Sequence, residues 1–161
     1  TTWRQSVDRE VLATRASVGI CDVTTLGKID IQGTDAGAFL DKVYANTFST
    51  LAVGKCRYGL MLRDDGYVLD DGTSARLAED RYLMTTTTAA AGLVMRHLDF
   101  VHQAFCAGWD VRFISVTEGW AQFAVAGPKA RDLLATLLGY GQRITHLSQR
   151  IKSCLHHVVW I

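Results

Sequence analysis

The sequence predicts an α+β fold, a mainly antiparallel sheet with packed helices. Three observations carry that reading. Helical and strand periodicities follow one another in the order α, β, α, βββ, α, ββ, α. Short turn signals join the strands within each group. One Pro in 161 residues, with no repeat and no low-complexity linker, leaves no visible place to divide the chain.

The elements can be justified in order. Residues 3–18 place Trp3, Val7, Val11 and Val18 at helical spacing, with Thr14 filling the stripe and Gly19 as the stop. "GKIDIQG" (27–33) alternates apolar and polar residues between two glycines, as a strand with one buried face does. "TDAGAFLDKVYAN" (34–46) offers Thr34 as N-cap and puts Ala36, Phe39, Leu40 and Val43 on one helix face. Three strands follow over 56–62, 67–77 and 81–88, joined by "RDDG" and "AED" and read as consecutive antiparallel neighbours. A helix spans 89–105. "DVRFISV" and "WAQFAVAG" read as a hairpin turning at Thr117-Glu118-Gly119, and Pro128 opens a last helix.

Composition narrows the function. The formal net charge is +1, which gives no electrostatic case for nucleic acid or an anionic membrane. Apolar runs such as "AAAGLVM" are far too short to span a bilayer. Cys21, Cys56, Cys106 and Cys154 lack metal-like spacing and read as reduced, mostly buried thiols of a cytoplasmic protein. His97, His102, His146 and the pair His156-His157 show no ligand spacing, so no metal site is expected.

The stretch "RDDGYVLDDGTSAR" holds two Asp-Asp pairs. Asp64-Asp65 precedes Gly66 and is ordinary hairpin-turn chemistry. Asp70-Asp71 follows an apolar run, where a strand should continue and Asp is disfavoured. A solvated strand-end pair is the plain reading of it.

Three stretches, "GICDVTTLGKIDIQGTDAGAFLDKVYANTF", "GKCRYGLMLRDDGYVLDDGTSARLAEDRYLMTTTT" and "VTEGWAQFAVAGPKARDLL", together resemble the folate-binding aminomethyltransferase family of the glycine cleavage T-protein. "TLGKIDIQG" and "MTTTT" resemble in particular the C-terminal part of the sarcosine oxidase alpha subunit. The resemblance covers 3–138 and implies the N-terminal part of the folate-binding fold. It implies that Asp71 is the catalytic carboxylate beside tetrahydrofolate, taking up a proton as the folate nitrogens receive a one-carbon unit. Asp70, Tyr58, Thr87 and Leu26 would line the same ligand. For Asp70 the solvated and ligand-facing readings remain level, a core aromatic is the competing reading of Tyr58, and plain core is the competing reading of Leu26. Thr87 departs from the pattern, since T-proteins carry an Asn there. FAD or FMN and NAD, needed by such an oxidase, would bind outside this chain, which has no GxGxxG fingerprint.

Residues 139–161 form an atypical tail that reads as a truncated or frame-shifted end, and the first residue, Thr1, suggests a missing start. The resemblance therefore implies an incomplete fragment of a sarcosine oxidase alpha subunit, inactive and weakly folate-binding alone, with other subunits or domains as partners. A self-standing folate-dependent aminomethyltransferase and a non-catalytic assembly module of the same fold are the alternatives. Self-association through uncovered apolar surface is also expected.

Overall fold

The computed structural model describes residues 2–138 and 156–160. Its elements are α1 (Trp3–Ala16), β1 (Gly19–Asp22), β2 (Gly27–Gln32), α2 (Ala36–Val43), β3 (Cys56–Leu62), β4 (Val68–Ala78), β5 (Arg81–Thr86), α3 (Ala91–Phe105), β6 (Arg112–Ser115), β7 (Gln122–Ala126), α4 (Ala130–Leu138) and β8 (His156–Trp160). Every strand pairing among the described residues is antiparallel, as the α+β reading requires. The chain divides into two compact units, Thr25–Trp120 and Thr1–Thr24 with Ala121–Ile161, where the sequence suggested no boundary. No Pro or Gly-rich stretch marks either crossing, which is why composition missed them.

In the unit Thr25–Trp120 the strand order is β3-β4-β5-β2-β6. β3, β4 and β5 are the predicted antiparallel neighbours. Gly66, at φ 81°, makes the first turn, with its N–H on the Arg63 carbonyl at 2.9 Å. The predicted α2 stripe of Ala36, Phe39, Leu40 and Val43 is buried against Ile29, Ile31, Tyr82, Met84 and Leu98. Each large apolar side chain buried there contributes about 2 kcal/mol.

Some local expectations change. Thr34 does not cap α2. Its N–H and hydroxyl bond Asp110 Oδ2 at 3.1 and 3.2 Å, while Asp35 takes the cap position and accepts from the Asp110 N–H at 2.8 Å. This exchange ties the helix start to the approach to β6. β2 is buried on both faces, not one: Lys28 and Asp30 are as enclosed as Ile29 and Ile31. A bidentate bond from Arg81 (3.1 and 2.8 Å) and one from Gln32 Nε2 (3.0 Å) satisfy the Asp30 carboxylate. Lys28 Nζ donates to the Leu26 carbonyl at 2.8 Å.

β3 is an edge strand, yet its middle is occupied. The Leu60 carbonyl accepts from Ala45 N–H at 2.9 Å, and the Leu60 N–H donates to Asn46 Oδ1 at 2.8 Å.

In the other unit β7 lies between β1 and β8. β6 and β7 are not a hairpin: β6 pairs with β2 and β7 with β1. A single 3-10 turn over Thr117–Gly119, with the Gly119 N–H on the Val116 carbonyl, leads the chain away instead. β1 is a strand the sequence did not announce, because α1 already ends at Ala16 and Gly19 opens the strand. α1 forms behind a Thr2–Gln5 capping box, but its stripe is exposed and none of its residues is buried. Gly127, at φ 116°, and Pro128 form the turn that leads into α4, with Pro128 just outside the first helical residue, Ala130. Among the described residues, Val125, Ala130 and Leu134 form a small buried cluster in this unit.

His156–Trp160 forms a strand paired with β7, in a tail where no period was visible. The rest of that tail reading, over 139–155, concerns residues outside those described, as do Cys154 and His146. The thiols differ from expectation: of the three described cysteines only Cys106 is buried, and Cys21 is exposed.

Candidate functional site

Asp70 and Asp71 sit where β4 parts from β5. β4 pairs with β3 along its length, from Val68 to Ala75. It pairs with β5 only from Ser74 onward, so Asp70, Asp71, Gly72 and Thr73 have a strand neighbour on one side. That fork answers why two acids can follow an apolar run.

Alternation then sends the two carboxylates to opposite faces. Asp70 faces Met61 across the ladder, on the face covered by α2 and α3, and only 5% of it is exposed. Both of its oxygens are used: Thr87 Oγ1 donates to Oδ1 at 2.8 Å and Thr87 N–H to Oδ2 at 3.1 Å. Asp70 therefore holds the chain just beyond β5. Such charge-assisted bonds are what make a buried carboxylate tolerable.

Asp71 faces the other way and is half-buried. Opposite it on β3 is Leu60, and diagonally placed is Tyr58, whose register partner is Thr73. The Tyr58 hydroxyl donates to Asp71 Oδ2. That hydrogen bond, then desolvation and the charges of Asp71 and Asp70, push the Tyr58 phenol up to about 12. Tyr58 is thus fixed as a neutral donor. Oδ1 of Asp71 has no partner among the described residues and faces the side of the sheet where Tyr58, Leu60 and Leu62 are exposed.

Around this pair stand residues the sequence did not single out. Tyr44, buried, accepts from Ser74 Oγ at 3.4 Å, and burial together with both acids raises its phenol. Thr85 Oγ1 accepts from the Thr73 N–H and donates to the Thr73 carbonyl, both at 2.9 Å. Gly72 fits because a Cβ there would collide with the Thr85 carbonyl oxygen. The signal for Gly72 was present, as a glycine inside a strand often marks close backbone approach. The signal for Thr85 was hidden in a uniform run of threonines.

The structure thus joins Asp71 to Tyr58 and Asp70 to Thr87. Leu26 is less closely tied. It precedes β2, one residue before the Gly27–Thr86 pair, and is half-buried. No group of His, Cys, Asp or Glu among the described residues is arranged to hold a metal. No helix among them is long and apolar enough to cross a membrane.

Comparison with known proteins follows the same lines. A family model for the GCVT N-terminal domain matches residues 1–150. Sarcosine oxidase subunit alpha of Rhizobium meliloti (strain 1021) is 57% identical over 137 residues, which cover 85% of this chain and 14% of that protein. An aminomethyltransferase of Thermus thermophilus is 36% identical over 133 residues, covering 83% of this chain and 37% of that one. Among solved structures, glycine cleavage system aminomethyltransferase T of Bartonella henselae matches with a TM-score of 0.78 at 24% identity, over 95% of this chain and 44% of that chain. That last likeness is one of fold. The chain spans less than half the length of each of these relatives.

Proposed function

The chain belongs to the GCVT N-terminal domain family, and on that premise we propose that it forms the folate-binding, one-carbon-transfer part of a sarcosine oxidase alpha subunit-like protein. The 57% identity to such a subunit supports that branch. The observation that carries the site is the Tyr58–Asp71 hydrogen bond on a half-exposed sheet face.

Tetrahydrofolate, when bound, supplies an amine that accepts a carbon at the oxidation level of formaldehyde. Asp71 Oδ1 takes up the proton that this amine releases, and the carboxylate charge stabilises positive charge on the incoming carbon. Tyr58 holds Oδ2, so the orientation of Oδ1 is set before a ligand arrives. The exposed ring of Tyr58 and the side chains of Leu60 and Leu62 offer the aromatic and apolar surface a flat pterin covers. The Thr87 hydroxyl hydrogen is already committed to Asp70. Towards a pterin, Thr87 can therefore only accept, whereas an amide could both donate and accept. Leu26 contributes apolar contact. Flavin and nicotinamide sites and the partner subunits of the oxidase lie outside this chain in this reading.

A second reading, an aminomethyltransferase acting without the oxidase, is supported by the 36% identity to the Thermus protein. Both use the same Asp71 chemistry.

The test is a tetrahydrofolate titration followed by NMR, which detects even millimolar binding. Shifts should concentrate on Tyr58, Leu60, Leu62 and Thr87, and Asp71→Asn should weaken them. Shifts scattered over the chain, or none at saturation, would overturn the reading.

A further inference from the structure

We infer that Thr85 is the positioning residue for Asp71, because its one hydroxyl replaces the missing β4–β5 rung two residues from that carboxylate. This rests on the proposed role of Asp71, but its geometry stands apart from any ligand.

β4 and β5 pair from Ala78–Arg81, shift register once between Arg76 and Ala78, and then run regularly from Arg76–Tyr82 to Ser74–Met84, so the next pair would be Thr73–Thr85. A regular ladder would continue there through main-chain bonds. It does not. The Thr85 hydroxyl instead accepts from Thr73 N–H and donates to Thr73 O, each at 2.9 Å. Thr85 is almost fully buried, so water cannot readily stand in for either bond. The clasp lets the strands part without leaving Thr73 unpaired, and it fixes the height of β4 over β5 at the point of parting.

Two neighbours keep the same gauge. Gly72 lets β4 lie against the Thr85 carbonyl, and Asp70 ties the far end of the fork to Thr87. Between them Asp71 has no ladder partner on β5, so its position depends on the residues flanking it. Tyr58 reports that position, because its hydrogen bond to Asp71 has Thr73 as the register partner on the other strand. If β4 moves, this bond lengthens first.

The experiment compares the chain with Thr85→Val, which removes the hydroxyl at nearly constant volume, and Thr85→Ser, which keeps it. Tyrosines are labelled at 13Cζ and Tyr58 is assigned through Tyr58→Phe. In the unaltered chain and in Thr85→Ser, Tyr58 should remain protonated at about pH 11, above the ordinary phenol range. In Thr85→Val its midpoint should fall from about 12 towards 10.0. An unchanged midpoint in a folded Thr85→Val overturns the inference. Should Thr85→Val not fold, amide exchange in the unaltered chain decides: Thr73 should exchange about 100-fold slower than an unstructured amide. Unprotected exchange at Thr73 also overturns it. A fallen Tyr58 midpoint with no tetrahydrofolate binding in any variant keeps the positioning role and overturns the folate reading instead.

Discussion

Asp64-Asp65 and Asp70-Asp71 are the same dipeptide, separated only by Gly66, Tyr67, Val68 and Leu69, and the fold uses them in opposite ways. At the hairpin tip Asp65 finds all its partners within two residues. Arg63 pairs with it and the Tyr67 N–H donates at 3.1 Å, which together hold its carboxyl below the usual range. In the fork the partners are distant in sequence: Thr87 lies 17 residues from Asp70 and Tyr58 lies 13 from Asp71. A local arrangement of this kind would form in a short peptide. The distant one exists only when three strands are assembled, so its acids report on tertiary structure.

Substitutions of the glycines beside each pair should break this contrast most visibly. Gly72→Ala drives a methyl into the Thr85 carbonyl and should cost on the order of 3 kcal/mol in urea unfolding. Gly66→Ala meets nothing within 4 Å, so only its positive φ matters, and it should cost about 1 kcal/mol. Equal costs would mean that the fork is no tighter than the tip.

Removal of the fork's buried acid comes next. Asp70→Ala deprives Thr87 of two bonds and should cost about 2 kcal/mol, with amide exchange rising at Thr87 and not at Tyr67. A loss of protection at the hairpin tip instead would show the two pairs to be coupled.

The smallest effect is expected at the tip itself. The lowered pKa of Asp65 implies a contribution present above the unfolded pKa and lost as pH falls through the folded one. Its full exposure lets salt screen that contribution, so Asp65→Asn should leave the unfolding midpoint unchanged in physiological salt. A clear shift would sharpen the comparison in favour of the local pair.

The same division between near and far explains what the sequence made legible. The α2 stripe and the Asp-Gly turn were readable because spacing or turn chemistry over a few residues decides them. The three-strand meander was readable because its turns are short. The Asp71–Tyr58 neighbourhood came through resemblance to a family, and the strand register is what gives it geometry. Lys28 and Asp30 were misjudged because alternation cannot tell a solvated face from one where an acid is buried under an Arg81 that itself reaches solvent. The supposed β6–β7 hairpin failed because a Thr-Glu-Gly turn reverses a chain as readily as it diverts one, and only pairing energy elsewhere, with β2 and β1, decides. The exposed stripe on α1 shows that amphipathic spacing forms a helix without specifying its cover.

The seal on β3 bears on how the protein behaves when concentrated. An uncapped border strand is a template for adding further strands, the first step towards fibrils. Here Ala45 and Asn46 occupy both main-chain groups of Leu60, midway along that border and beneath the exposed Tyr58, Leu60 and Leu62. An incoming chain would have to displace the Asn46 amide before its own backbone could bond there. The apolar face can thus stay open to a small flat molecule while the strand that carries it resists templating its own kind.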